Sequence, residues 1–436
     1  MSQSTLVSLR YDRRMLSVQL PTENLLGVLD GNFPAESLSL TQAQQLEEVA
    51  RSIREPIGCG SLQETVEALA KKTGKAPRQL KVVVMASDLT RPSPTYKILP
   101  PLVQALNNCG IVDENILVMF GLGSHRNHTP QEQQQLMGEE MYKRIRCIDS
   151  VPGDFVYLAT TSRGTPLNVN RLVLEADLRI ATGNVDYHWF AGYSAGAKAF
   201  FPGACRMDSV QQNHKMAVLP QCHSGALEGN PLREDIDEAG GLIGIHFIVN
   251  VVINDLNQQI LRSFAGDYLA AHRAACRFVD EVYGHPIPQL ADVVVASSGG
   301  FPKDINIDQM QKALENAFRG VKPGGTLLIT AACPEGYGKP AIGEAFRKIF
   351  APQQLLAENM LDPAPGVGAK EGGYAKVSAN CHVVLVTDMA PGEVRNLFWE
   401  PCSPDNIQQK IDSLLTGGKT VYAMPLACSV MPVLNP

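Results

Sequence analysis

The sequence lacks the features of a nucleic-acid-binding or membrane protein. Its 436 residues include 38 Lys and Arg against 44 Asp and Glu, so there is no basic excess for binding nucleic acid or an anionic membrane. The longest aliphatic runs, such as Phe247–Ile253, are far shorter than the ~20 residues of a membrane span. The N-terminal residues contain no apolar segment of signal-peptide length. We therefore expect a cytoplasmic protein with no nucleic-acid or membrane partner.

Paired cysteines are also missing, and aromatic residues are few. The ten cysteines are scattered and no two lie within three residues of each other, which excludes C-x-x-C metal or redox motifs. Aromatic residues make up 6 % of the chain, whereas apolar residues make up 44 % and charged residues 19 %. A chain of this length and composition can bury two or three cores at about 100–200 residues per domain. Together with 37 Gly and 29 Pro, this is typical of an α/β enzyme with many loops.

Short apolar runs rich in β-branched residues recur along the chain and end in loops that contain Gly, Asp or His. Their apolar character is continuous rather than alternating, which is typical of parallel strands covered on both faces. Residues of N-terminal helix caps, such as Thr129 and Asn306, begin the helical segments between them. The runs are residues 81–86, 115–120, 178–182, 292–296, 326–330 and His382–Val386.

This alternation predicts an α/β fold with two α/β domains, mainly parallel sheets and a helical connector. Ligands of such folds bind at the carboxyl ends of the strands. We predict an N-terminal domain over residues 1–266, with 418–436 as a candidate segment to complete it. A connecting helix is predicted over 267–285 and a C-terminal domain over 286–417.

Histidines and glycines mark the first candidate site. His125 and His188 lie in loops directly after predicted strands, where a functional role is favoured over a structural one. Residues 183–203 contain four glycines around His188, Ser194 and Lys198. Because glycine lets the backbone approach a ligand closely or adopt positive φ, we predict a binding site in this segment.

Ser194 leaves a hydrolase alternative open. Gly192-Tyr193-Ser194-Ala195-Gly196 matches the G-x-S-x-G nucleophile elbow, with His214 or His223 as a candidate base. No clean strand precedes it, and Pro202 stops a following helix within two turns. A non-catalytic protein that binds a nucleotide or a hydroxy acid is a third alternative.

Two cationic segments complete the candidate residues. Asp88 and Arg91 follow a predicted strand, and Arg binds carboxylate or phosphate through two parallel hydrogen bonds. Lys303 offers a comparable cation in the second half of the chain, with a solvated surface lysine as the alternative interpretation.

Five motifs, in order between Ser87 and Asn306, together resemble the nickel-dependent lactate racemase family of 2-hydroxyacid racemases and epimerases. They are SDLTRPSP, GSHRNHTPQE, GNVDYHWFAGYSAGAK followed three residues later by PG, the pair Asn213-His214, and GGFPKDIN. The resemblance implies a cofactor, the nickel-pincer nucleotide, which is a pyridinium-3,5-bisthiocarboxylic acid mononucleotide carrying nickel. It also implies an N-terminal cofactor-binding domain, an active site in the interdomain cleft, and transient contact with the proteins that synthesise the cofactor.

The resemblance also implies a role for each matching residue. Lys198 tethers the cofactor covalently, His214 binds the nickel, and His125 and His188 act as the acid/base pair. Lys303 is a substrate-side residue, and Arg91 lies near the substrate carboxylate. The implied contacts to the cofactor come from Asp88, Leu89, Thr90 and Arg91.

The implied reaction interconverts the two configurations of a 2-hydroxy acid. One histidine takes the hydroxyl proton while hydride moves from the substrate to the cofactor, and a 2-keto acid results. Hydride then returns to the opposite face, so an acid/base residue is needed on each side. Gly299 and Gly300 stand where some relatives carry larger side chains, from which we expect room for a larger hydroxy acid or sugar acid than lactate.

Overall fold

The computed structural model describes residues 3–30, 40–123, 125–254, 257–361 and 369–435. The strands within these ranges are β1 Ser4–Tyr11, β2 Arg14–Pro21, β3 Leu25–Val28, β4 Val82–Ser87, β5 Ile116–Gly121, β6 Arg146–Asp149, β7 Phe155–Thr160, β8 Pro166–Asn170, β9 Leu178–Asn184, β10 Tyr187–His188, β11 Gly192–Tyr193, β12 Phe247–Ile253, β13 Ile260–Gly266, β14 Gly284–Ile287, β15 Ala291–Ser297, β16 Val321–Thr330, β17 His382–Val386, β18 Glu400–Cys402, β19 Val421–Met424 and β20 Met431–Leu434. The helices are α1 Gln42–Arg54, α2 Leu62–Thr73, α3 Thr95–Asn108, α4 Pro130–Met137, α5 Glu139–Arg144, α6 Arg171–Glu175, α7 Met207–His214, α8 Pro231–Ile243, α9 Ala270–Tyr283, α10 Ile307–Phe318, α11 Pro340–Arg347, α12 Pro352–Leu361, α13 Ala369–Asn380, α14 Pro391–Asn396 and α15 Ile407–Leu414.

These elements form two α/β units, as the sequence predicts. The first unit contains residues 40–216 and 221–279, and the second contains residues 3–30, 217–220 and 280–435. Helix α9 lies where a connecting helix is predicted, and the division between the units falls within it.

The first unit is built on a six-stranded sheet in the order β13-β12-β9-β4-β5-β6. All neighbouring strands are parallel except β12 and β13. Strand β4 is buried from Val82 to Ala86, which explains its continuous apolar sequence. Because β4, β5 and β9 are neighbours and run in the same direction, the loops that follow them start at one edge of the sheet.

The second unit is built on a parallel sheet in the order β18-β17-β16-β15-β19-β3. One face packs against α10, α11 and α13. The other face is covered by α15 and by the hairpin of β1 and β2. Alternate residues of this hairpin, Val7, Leu9, Val18 and Leu20, are buried against the sheet.

The N-terminal domain boundary at residue 1 was therefore wrong. Residues 3–30 join the second unit because the hairpin covers its sheet and β3 pairs with β19. The expectation that residues 418–436 complete the first domain was also wrong, since β19 pairs with β15 inside the second unit. Buried and exposed positions alternate along β1 and β2, so only one face of this hairpin is apolar. That face must pack against a sheet to be buried, which is the physical reason for its place in the second unit.

Glu315 should make the stability of the second unit depend on pH. This side chain of α10 is 7 % exposed, and burial raises its pKa to about 7 despite the opposing charges of Lys376 and Arg319. With the folded pKa above the ordinary value, its contribution to stability is fully present below that ordinary value and is lost as pH rises through about 7. Glu315→Gln should therefore stabilise the second unit by about 1–3 kcal/mol at about pH 8.5, and by much less at about pH 5.5.

Calorimetric unfolding at the two pH values measures this difference. Glu344→Gln, which changes an exposed acid of α11, is the matched control and should leave the pH dependence unaltered. An equal effect of Glu315→Gln at both pH values would contradict the prediction.

Candidate active site

The loops after β4 and β5 bring Asp88 and His125 into direct contact. Asp88 is 3 % exposed, and its Oδ2 lies 2.7 Å from Nδ1 of His125. The Thr90 hydroxyl donates to the same Asp88 oxygen at 2.9 Å. Burial raises the pKa of Asp88, but His125, Arg91 and Thr90 outweigh this effect and leave the pKa below its ordinary value. A carboxylate beside Nδ1 favours the His125 tautomer that carries its proton there, which leaves Nε2 available for proton transfer.

His128 fixes the turn that carries Asp88, Leu89, Thr90 and Arg91. Its Nε2 accepts the backbone N–H of Leu89 at 3.0 Å, and its Nδ1 lies 2.7 Å from Oδ1 of Asp149. These partners define a neutral imidazole that donates from Nδ1 and accepts at Nε2. His128 was not among the residues predicted for the site, so this positioning role was missed. Ser124, in the same loop, lies outside the described residues.

The segment after β9 gathers three of the predicted site residues around one aromatic ring. The ring of Phe190 lies 4.4 Å from the ring of His188 and 4.8 Å from that of His214, between centroids. The Nζ of Lys198 lies 5.2 Å from the centroid of the same ring. Phe190 was not singled out from the sequence, although it stands two residues after His188 in the glycine-rich segment. It is the common contact of His188, His214 and Lys198.

Burial and neighbouring positive charge disfavour the charged forms of these three groups. Burial lowers the pKa of Lys198 well below its ordinary value, and the charges of Arg91 and Arg233 lower it further. The pKa of His188 is lowered well below its ordinary value, first by burial and then by Lys198 and Arg91. Burial also lowers the pKa of His214, to about 3. Both effects favour a neutral amine and neutral imidazoles over cations in this cluster.

A buried charged network holds the backbone that carries Lys198. Arg233, in α8, has no exposed surface and donates to the carbonyl of Tyr193 at 3.1 Å. His272, in α9, is equally buried, and its Nε2 lies 2.8 Å from the carbonyl of Ser194. Asp237 neutralises Arg233 at 3.0 Å. No signal in the sequence connected Arg233 or His272 with this segment.

At two glycines of residues 183–203, the space that a side chain would occupy is taken by other residues of the protein. Gly192 has φ +74°, and a Cβ there would lie 1.9 Å from the carbonyl oxygen of Ala226. Gly196 has φ +61°, and its Cβ would lie 2.7 Å from the ring of His272. Positive φ is thus present as expected, but the space beside these two glycines is filled by the chain itself. Ala195 also has positive φ, +57°, which stores local strain next to the turn of Lys198.

The hydroxyl of Ser194 is used structurally. It donates to the carbonyl of Asn184 at 2.7 Å and accepts the backbone N–H of Asp186 at 2.9 Å. A nucleophile elbow needs a base at the serine oxygen, but the His214 ring contacts Asn213 and the His223 ring contacts the Ser224 carbonyl. This arrangement disfavours the hydrolase alternative.

Lys303 belongs to the second unit, in the loop after β15. Its Nζ lies 3.4 Å from Sγ of Cys428. The glycines before it have positive φ, and a Cβ on Gly300 would lie 2.7 Å from the carbonyl oxygen of Asp12. A Cβ on Gly299 would lie 3.0 Å from the Cys428 sulfur. Both glycines are therefore explained by backbone conformation and packing, which removes the argument that they make room for a larger substrate.

The described residues of the first unit offer few donors for a metal ion. Among the residues described, no group of three or more His, Cys, Asp or Glu side chains could hold a metal ion. A cofactor that brings its own donors needs from the protein an attachment point and one further ligand, which Lys198 and His214, both with lowered pKa, can supply. The buried Oδ1 of Asn184 also accepts no hydrogen bond from any residue that the structure describes. These residues fit the nickel-pincer nucleotide.

Comparison with known proteins gives the same family over most of the chain. The family model described as the lactate racemase N-terminal domain matches residues 11–225, and that of the lactate racemase C-terminal domain matches residues 287–403. A lactate racemase of Thermoanaerobacterium thermosaccharolyticum is 29 % identical over 436 residues, covering 98 % of each chain. One from Lactiplantibacillus plantarum is 29 % identical over 403 residues, covering 90 % of this chain and 91 % of the relative.

Solved structures similar to this chain include a lactate racemase. The lactate racemase apoprotein of T. thermosaccharolyticum has a TM-score of 0.86 at 27 % identity, covering 99 % of this chain and all of the other. A Thermotoga maritima protein has a TM-score of 0.61 at 17 % identity over 87 % of this chain and all of the other, a likeness of fold alone.

The two α/β units and these relatives define the class of protein: it is an isomerase, a racemase. No helix in the described ranges combines the length and apolar character required to cross a bilayer. The chain belongs to the lactate racemase family.

Proposed function

We propose that this racemase interconverts the two configurations at C2 of a 2-hydroxy acid, with a nickel-pincer nucleotide held by Lys198 and His214. The observation that carries the proposal is the cluster around Phe190, in which His188, His214 and Lys198 all contact one ring. When bound, the cofactor supplies a centre that accepts hydride from the substrate and returns it.

Lys198 and His214 hold the cofactor because both have an available electron pair. The lowered pKa of Lys198 favours the nucleophilic amine, which can attack an activated thiocarboxyl group of the cofactor, forming a thioamide as the activating group and an amine proton leave. A neutral imidazole is a good ligand for nickel, and the lowered pKa of His214 keeps it in that form. Attachment needs an activated cofactor, so the proteins that synthesise it are proposed as transient partners.

His125 and His188 move the hydroxyl proton of the substrate. His125 is oriented by Asp88, whose carboxylate also stabilises the imidazolium that forms when Nε2 takes a proton. His188 is neutral because of burial and nearby positive charge, and so can accept a proton without first losing one. A histidine on each side of a planar 2-keto acid allows the proton to be removed on one face and returned on the other.

Arg91 and Lys303 are the proposed cations for the substrate carboxylate, and Asp88, Leu89, Thr90 and Arg91 the proposed cofactor contacts. Arg91 is exposed, and its charge lowers the pKa of both Lys198 and His188. The substrate is proposed to be lactate, as in the named relatives, or a larger hydroxy or sugar acid.

The test is a panel of single-enantiomer 2-hydroxy acids, lactate included, incubated with cofactor-loaded protein. We expect the opposite enantiomer of at least one acid to accumulate to an equal mixture, without net oxidation, and the apoprotein to be inactive. Chiral chromatography measures both enantiomers. If loaded protein converts no acid of the panel but cleaves an ester, and Ser194→Ala abolishes that cleavage, the hydrolase alternative replaces this proposal.

A further inference from the structure

A buried chain of hydrogen bonds lies behind His214. Asn213 and Asp235 have no exposed surface, and Asp235 lies on α8. The amide Nδ2 of Asn213 donates to Oδ2 of Asp235 at 2.8 Å and to the Leu232 carbonyl at 3.2 Å. Its Oδ1 lies 3.2 Å from Nδ1 of His214. The chain thus runs from a buried carboxylate, through an amide, to an imidazole.

Asp235 permits only one orientation of this amide. The hydroxyls of Thr161 and Thr165 donate to the carboxylate at 2.5 and 2.8 Å. The Thr161 oxygen also accepts the backbone N–H of Thr165, so its own proton points to Asp235. A carboxylate that receives these bonds acts as an acceptor and needs a donor from Asn213. Rotating the amide by half a turn would place Oδ1 against both Asp235 and the Leu232 carbonyl, with no proton between any of them.

The fixed amide in turn selects one form of His214. Because Oδ1 of Asn213 can only accept, the facing Nδ1 of His214 must carry the proton. In a neutral imidazole the other nitrogen, Nε2, is then left with its electron pair. If the proton were on Nε2 instead, the electron pair of Nδ1 would face an electron pair of Oδ1 of Asn213, and the two would repel each other.

We propose that Asp235, acting through Asn213, is a positioning residue that fixes His214 as the Nδ1–H tautomer and so presents Nε2 to the metal. The inference rests on the proposed function for the identity of the ligand, but the tautomer is a property of the protein alone. Loss of a residue that fixes the orientation and tautomer of a histidine ligand commonly lowers metal affinity by roughly 10- to 100-fold.

The experiment uses the full chain without cofactor, labelled with ¹⁵N-histidine. Long-range ¹H–¹⁵N correlation spectra distinguish the two neutral tautomers, and the His214 signals are those lost in His214→Gln. Wild type should show the pure Nδ1–H pattern. Asp235→Asn should give a mixture, since a carboxamide at 235 can donate or accept. Thr161→Val removes one donor to Asp235 but leaves its bond to Asn213, so this matched control should keep the wild-type pattern.

Wild-type protein with the proton on Nε2 of His214 would overturn the inference, as would a pure Nδ1–H pattern in folded Asp235→Asn. If Asp235→Asn does not fold, the wild-type spectrum and Asn213→Ala, which removes the acceptor, still decide it. A second measurement, nickel release from loaded protein into a chelator, should be ~10–100-fold faster in Asp235→Asn. If the tautomer behaves as stated but His214→Gln releases nickel no faster than wild type, the assigned metal ligand fails and the tautomer inference stands.

Discussion

Replacing Lys198 by alanine should abolish both the covalent cofactor adduct and the racemisation of every 2-hydroxy acid. The amine of Lys198 is the proposed attachment atom, and its neutral, nucleophilic form is favoured because burial and the charges of Arg91 and Arg233 lower its pKa. Alanine offers no nucleophile, so the chemistry that only the cofactor supplies is lost with it. Intact-mass spectrometry of protein produced together with the cofactor synthesis proteins measures the adduct, and a chiral assay on the same sample measures turnover.

A second lysine, which is exposed, provides the control. Lys215 lies at the end of α7, and Lys215→Ala should retain the adduct and the activity. A mass adduct that survives in Lys198→Ala would mean that another residue is the attachment point. Lys198→Arg separates charge from nucleophilicity, because it restores a long cationic side chain but should still carry no adduct.

His125→Asn and His188→Asn should each lower turnover by ~10²–10⁴-fold while keeping the cofactor adduct. Asparagine retains a polar side chain but cannot exchange a proton near neutral pH. Since the two enantiomers have equal free energy, each substitution must lower kcat/KM equally in both directions, even though each histidine is proposed to serve one face. Initial rates from both pure enantiomers, with the adduct measured by mass, check this expectation.

An exposed histidine of the second unit serves as the comparison. His382→Asn changes a side chain that is 47 % exposed, and turnover should stay at the wild-type rate. If His188→Asn were as active as His382→Asn, His188 would have no role in proton transfer, and the acid/base pair would need another member.

The clustering of candidate residues at one edge of the first sheet could be predicted from the order of the strands. Continuous apolar runs identify β4, β5 and β9, and the polar residues that follow them meet because these strands are neighbours in a parallel sheet. The contact between Asp88 and His125 follows from that geometry. The predicted α/β fold class was confirmed for the same reason.

The supporting residues could not be predicted in this way. Arg233 and Asp235 stand two positions apart on α8, and in the sequence they look like ordinary charges of a solvated helix. Only the tertiary structure shows that neither has exposed surface and that they bond to different parts of the site. At Gly192 and Gly196 the sequence predicted space for a ligand, whereas other residues of the chain fill that space. A glycine in a sequence gives no indication of which of the two will lie beside it.

The pairing of β3 with β19 has a consequence for how the protein is made. Leu25 of β3 lies opposite Val421 of β19, so a strand from the beginning of the chain completes a sheet whose neighbouring strand comes from near its end. On the ribosome, the first unit has all of its strands and helices before most of the second has been synthesised, and domains generally fold as units during synthesis. Until the sheet of the second unit is synthesised, the apolar face of the hairpin of β1 and β2 has no sheet to pack against. Chaperones that bind nascent chains would therefore find a persistent target in this hairpin, which is synthesised long before the sheet that it covers.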